Sequence, residues 1–192
     1  MIRMATIDDL DPLVQLFDIA NHGDVRRVLT EQAKDGESWI ELCKARMAPP
    51  HSEIHPGKAG VAVVDGEIAG ALFFFHLKHV ANPPDIASLP LYARPFMALR
   101  NLAPEGLFLR DMAIFSAYRG LGLATRLLDH AIMAGRMAGL KHTMAVVHET
   151  NALLLEHYYK RGMKVMARHK VLSHVQHSPE SDWLLLQLDA PD

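Results

Sequence analysis

The sequence predicts an α/β fold on a mixed sheet, and three observations carry that expectation. Two apolar, β-prone runs, Ala59–Val64 and Glu67–Leu77, are joined by Asp65-Gly66, the strongest short hairpin signal a sequence offers. The stretch 123–138 places Ala124, Leu127, Leu128, Ala131, Ile132 and Gly135 at helical spacing. Strand-like and helix-like stretches then alternate before two final strands. The resulting order, β-α-α-β-β-β-α-β-α-β-β, differs from a purely parallel alternation.

The first element, residues 2–5, reads as a short strand. Thr6 follows as an N-cap with Asp9 as its reciprocal partner, ahead of Leu10, Leu13, Val14, Phe17 and Ala20 on one helical face. A second helical stretch begins near Asp24 and breaks at Asp35-Gly36. It restarts at Ser38-Trp39-Ile40-Glu41, a second capping box, and Pro49-Pro50 stops it. After the hairpin, residues 81–105 carry five prolines among Leu91, Tyr92, Phe96, Met97 and Leu99. That is long for a simple connection, so it reads as an insertion containing a short helix. Residues 106–115 are strand-like, and Gly139 terminates the helix 123–138. A strand at 142–147, a helix at 151–161 closed by Gly162, and strands at 163–171 and 183–188 complete the chain.

Totals narrow the function classes. With 192 residues, 49% hydrophobic and 22% charged, the chain suits one domain, 1–192, with a substantial core. A net charge of −2 gives no strong attraction to nucleic acid or to an anionic membrane. Cys43 is the single cysteine, which leaves no internal disulfide and no cysteine-built metal cage. An acidic pair, Asp8-Asp9, stands where a signal peptide would be apolar, and runs such as 70–75 fall far short of a membrane span. A cytoplasmic location is the expectation.

The chemistry concentrates in two segments. In the first, Asp111 to Ala124, a strand enters the turn Arg119-Gly120-Leu121-Gly122, which opens directly onto a helix. The first turn of a helix presents unpaired N–H groups and a positive dipole end, and glycine lets a phosphate approach them. The turn lacks the Gly-Lys-Ser/Thr ending of a P-loop and the third glycine of a dinucleotide fingerprint. In the second segment Asn151 and Tyr158 lie seven residues apart. Helical geometry brings them to nearly one face, about 10 Å apart along the axis. Taken alone, Asn151 also fits a plain N-cap and Tyr158 a core tyrosine.

Together these segments resemble the GNAT superfamily of acyl-CoA-dependent N-acyltransferases. Arg119-x-x-Gly122-x-Ala124, preceded by Tyr118, is similar to its Arg/Gln-x-x-Gly-x-Gly/Ala motif. Asn151, Tyr158, Lys160 and Gly162 are similar to its Asn…Tyr-x-Lys-x-Gly-Phe helix. Ser116 stands where proline is common and Met163 where phenylalanine is usual. The resemblance implies a twisted, mostly antiparallel sheet with helices on both faces. It implies acetyl-CoA as co-substrate, no metal, and an acceptor amine on a small molecule or peptide. Assembly as a homodimer is compatible with it.

By position, the resemblance implies that the backbone of Met112, Ala113 and Ile114 runs beside the pantetheine arm. The N–H groups of Arg119, Gly120, Leu121, Gly122, Leu123 and Ala124 would cradle the diphosphate, with Thr125 adding a hydroxyl. Asn151 would bond the pantetheine or the incoming substrate, and Tyr158 would protonate the departing thiolate. A phenol of reference pKa about 10 can donate to a thiolate of about 8.5. An alkylammonium acceptor also needs a base, and Asp111, Glu149 and His148 are candidates by their place at strand ends. The remaining histidine pairs, His51/His55 and His174/His177, lack acidic or cysteine partners at metal-ligand spacing and read as solvated loops. The alternative function is a non-catalytic acyl-CoA sensor of the same fold, which would have no use for Tyr158.

Overall fold

The computed structural model describes residues 1–78, 85–91, 93–172 and 181–190. Seven strands are hydrogen-bonded in the order β1-β2-β3-β4-β5-β7-β6. They are β1 (Ile2–Met4), β2 (Ala59–Val64), β3 (Glu67–Leu77), β4 (Gly106–Ile114), β5 (His142–His148), β6 (Lys164–Lys170) and β7 (Asp182–Asp189). The pairs β1/β2, β2/β3, β5/β7 and β6/β7 are antiparallel, and β4/β5 is parallel. This is the mixed sheet that the element order predicts, mostly antiparallel as the resemblance implies.

Six α-helices accompany the strands among the described residues: α1 (Leu10–Ala20), α2 (Asp24–Gln32), α3 (Trp39–Met47), α4 (Arg94–Leu102), α5 (Leu123–Met137) and α6 (Ala152–Tyr159). The interrupted second helix expected from the sequence is two helices, because the chain extends at Ala33 and turns through Gly36 at φ 84°. Local signals place most boundaries. Asp9 accepts from the Thr6 N–H at 2.7 Å and is clasped by Arg3, completing the box that starts the first helical turn. The second box forms by half: Ser38 Oγ accepts from the Ile40 N–H, while Glu41 pairs with Lys44. Asp65 and Gly66 both take left-handed φ, 49° and 86°, as a two-residue hairpin turn of the primed type requires.

Contacts gather the chain into two compact units. The first comprises Met1–Phe75 and Arg110–Met133. Its core joins α1, α3 and the β2–β3 hairpin through Leu13, Leu16, Met47, Val61 and Phe73, with Phe17 edge-on to Phe73 at 5.7 Å. The second comprises His76–Leu109 and Ala134–Asp192. There Phe108, Met144 and Leu186 are fully buried. Phe96 of α4 meets Phe108 and Trp183 edge-on at 6.3 and 6.1 Å, and Leu99 is buried. Of the apolar set in 81–105, Leu99 therefore belongs to the core and Phe96 packs against it from a half-buried position, while Leu91 and Leu102 are exposed; Tyr92 and residues 81–84 lie outside the described residues.

Candidate active site

The glycine turn lies in the first unit. Strand β4 ends at Ile114, the Phe115 N–H bonds the Ala69 carbonyl at 2.9 Å, and a short 3-10 turn covers Ser116–Tyr118. The end of β4 lies close against β3: a Cβ added to Gly70 would come within 2.9 Å of the Ala113 carbonyl and would collide with Ile114. Arg119 folds back, its Nε donating to the Ile114 carbonyl at 3.4 Å. Gly120 and Gly122 then take φ of 82° and 69°. Nothing stands within 4 Å of the Cβ that either would carry, so glycine is needed here for conformation rather than for space. Helix α5 begins at Leu123, and its Arg126 N–H bonds the Gly122 carbonyl. The N–H groups from Leu123 to Thr125 are those a helix's first turn leaves without an intrahelical carbonyl. Leu123, Leu127 and Leu128 bury the other side of the helix and anchor the turn.

Asp111 occupies the same unit, on β4 upstream of the turn. Its side chain is only 15% exposed. Arg110 Nε donates to one carboxylate oxygen at 2.8 Å and Asn21 Nδ2 to the other at 3.2 Å. The Arg110 guanidinium also holds Glu53 at 2.7 Å and lies over the Phe17 ring. Burial pushes the Asp111 carboxyl above its ordinary range, and the bonds from Arg110 and Asn21 only partly offset this. A raised carboxyl is better matched to taking a proton near neutral pH than an ordinary one.

The second unit holds the other predicted residues. Asn151 caps α6, its Oδ1 accepting from the Leu154 N–H at 3.2 Å, so the N-cap reading of this residue holds. Tyr158 is 2% exposed and Tyr159 47%, which separates the two tyrosines by environment as well as by sequence. Gly162 ends the segment at φ 84°. Glu149 Oε1 accepts from the Asp182 N–H at 2.6 Å, and Arg168 lies 3.7 Å from Oε2. That carboxylate ties the end of β5 to the start of β7. His148 is 4% exposed, its Nδ1 accepting from Thr150 and its Nε2 facing Ser181 Oγ at 2.9 Å. Since Nδ1 accepts from the Thr150 N–H, Nε2 carries the proton and donates to Ser181. Both ring nitrogens are engaged, one by Thr150 and one by Ser181.

The residues that surround Asp111 were not accessible to sequence reasoning. Asn21 and Glu53 lie 90 and 57 positions from their partners, with no motif linking them. Among the described residues no cluster of three or more His, Cys, Asp or Glu is placed to hold a metal. His55 caps a short turn by accepting from the Gly57 N–H, and His174 and His177 lie outside the described residues. No helix among the described residues is long and apolar enough to cross a membrane.

Comparison with known proteins gives a consistent picture. The sequence matches the model of the acetyltransferase (GNAT) family over residues 24–163. No curated protein sequence matches it. Solved structures share its fold at low identity. One is described as an acetyltransferase, with 16% identity, a TM-score of 0.66 and 98% of each chain covered. Another is a GCN5-related N-acetyltransferase from Kribbella flavida, with 18% identity, a TM-score of 0.63, and 99% of this chain and 97% of that one covered. A third is the NatC complex bound to Gag peptide and CoA, with 15% identity, a TM-score of 0.54, and 100% of this chain and 98% of that one covered.

Proposed function

The chain belongs to the acetyltransferase (GNAT) family and is an acyltransferase, and from that premise we propose that it moves an acetyl group from acetyl-CoA directly to the amine of a small molecule or peptide. The observation that carries this reading is the turn 119–124, with two left-handed glycines opening a 15-residue helix whose first N–H groups suit a diphosphate. A relative of the same fold was crystallised with CoA.

In this reading the N–H groups of Arg119, Gly120, Leu121, Gly122, Leu123 and Ala124, with the Thr125 hydroxyl, bind the diphosphate. Met112, Ala113 and Ile114 run beside the pantetheine, and Asn151 orients it through its backbone while its side chain caps α6. Asp111 takes a proton from the acceptor ammonium. The freed lone pair attacks the thioester carbonyl, and an N–H near Ile114 steadies the oxyanion. The C–S bond then breaks, and the thiolate takes the phenolic proton of Tyr158; the second proton of the former ammonium leaves the amide nitrogen through solvent to the Tyr158 phenolate, and Asp111 releases the first to solvent. Asp111 is taken as the base ahead of Glu149 because burial raises its carboxyl. Segment 81–105, proline-rich, apolar and inserted just before β4, is read as lining the acceptor side.

The test is release of free thiol from acetyl-CoA across polyamines, amino acids, aminoglycosides and peptide N-termini. Turnover with at least one amine is expected. Tight acetyl-CoA binding without turnover across the panel would favour an acyl-CoA sensor.

A further inference from the structure

Helix α1 ends in a turn that is fastened on every side. The Asn21 N–H and its side-chain Nδ2 both bond the Phe17 carbonyl, at 3.2 and 2.9 Å. The chain then passes through two successive left-handed residues, His22 at φ 54° and Gly23 at φ 84°. A histidine in that region is uncommon. Here it is held by the His22 N–H on Ile19, the Gly23 N–H on Asp18, and the Asp18 carboxylate accepting from the Arg26 N–H at 2.8 Å across the corner. From this corner the Asn21 amide reaches β4, where Nδ2 donates to Asp111 Oδ1. One amide nitrogen has two hydrogens, and both are spent, one on its own helix and one on Asp111.

We propose that Asn21 is a positioning residue: the α1–α2 turn holds its amide against one oxygen of Asp111 while Arg110 holds the other, fixing the direction in which that carboxylate receives a proton. The inference rests on Asp111 being the base. The charged groups facing Asp111 are Arg110 on its own strand and Glu53, which approaches through Arg110 from the segment before β2; Asn21 is the neutral donor from α1. A donor to the charged form favours that form. Removing it makes the carboxylate easier to protonate, and a carboxylate at position 21 makes it easier still. A base works only when deprotonated, so the acid limb of the rate profile must move to higher pH in both cases.

The experiment compares wild type, Asn21→Leu and Asn21→Asp by two readouts. The first is the titration of the Asp111 carboxyl carbon by NMR, assigned through Asp111→Asn. The second is the pH dependence of kcat/KM with an acceptor found in the thiol-release screen. Acetyl-CoA affinity and thermal melting report whether each variant is folded, and Leu serves as the near-isosteric variant should Asp disturb the helix end. Both midpoints are expected to rise in the order wild type, Leu, Asp. On the acid side the rate should fall about tenfold for every pH unit by which the limb moves upward. A folded Asn21→Leu protein whose Asp111 titrates as in wild type overturns the positioning role. An Asp111 titration that moves while the rate profile stays still overturns the assignment of Asp111 as the base instead.

Discussion

His148 Nε2 lies 2.9 Å from Ser181 Oγ, joining the end of β5 to the start of β7 inside a region where both residues are about 5% exposed or less. The imidazole is also edge-on to Trp183 at 5.2 Å and accepts from Thr150 at the entrance to α6. Ser181→Ala removes a hydrogen bond made by a buried imidazole, a loss of about 1 kcal/mol. Urea denaturation should show that loss while acetyl-CoA affinity stays within a few-fold of wild type. An unchanged midpoint would mean that the bond contributes nothing net.

Gly122→Val should weaken acetyl-CoA binding severely while the protein remains folded. A β-branched residue at φ 69° is strained by about 1–2 kcal/mol, although nothing stands within 4 Å of the Cβ it would carry. The turn relieves that strain by changing shape, and its N–H groups leave their present direction. Calorimetry giving wild-type affinity in folded Gly122→Val protein would remove the diphosphate assignment.

Tyr158→Phe keeps the buried ring and removes the transferable proton. kcat should fall by about 10² to 10⁴ with little change in acetyl-CoA affinity. Tyr159, 47% exposed and about 100° away on the helix, is the control, and Tyr159→Phe should turn over like wild type. Equal rates for the two variants would remove Tyr158 from the chemistry.

Replacing the segment 85–91 should alter acceptor preference and acceptor KM, with acetyl-CoA affinity nearly intact. The replacement leaves α4 in place because Phe96 and Leu99 are packed there. Lost acetyl-CoA binding with an unaltered acceptor profile would place this segment elsewhere in function.

Asp9 gives the fold an acid-sensitive component. Hydrogen bonds from Arg3 hold its carboxyl at about 2, below the ordinary 3.8, against the burial that would raise it. A group depressed in the folded state contributes its stability above pH 3.8 and loses it as pH falls through about 2. With the Arg3 side chain 37% exposed and screened by solvent, the contribution is about 1–2 kcal/mol. Asp9→Asn should be destabilised by that amount at pH 7, and the gap should close near pH 2. A gap that persists at pH 2 would assign the loss to the cap's shape rather than to its charge.

The sequence by itself determined what depends on neighbours along the chain. The Asp65-Gly66 hairpin, the Thr6/Asp9 box and the Asn151 cap are set by residues at most three positions apart, where backbone sterics and one local hydrogen bond suffice. The turn 119–124 was legible for the same reason, although the need for left-handed φ at both glycines appears only in the structure. The tertiary structure alone decided the state of the carboxylates and the imidazole. Asp111 and Glu149 look alike as strand-end acids, yet Asp111 is raised by burial and met by Asn21 from 90 positions away, while Glu149 is tied to the β7 backbone. A side chain's protonation and availability follow from the dielectric and the donors around it. Folding assembles those surroundings from residues that no local pattern connects.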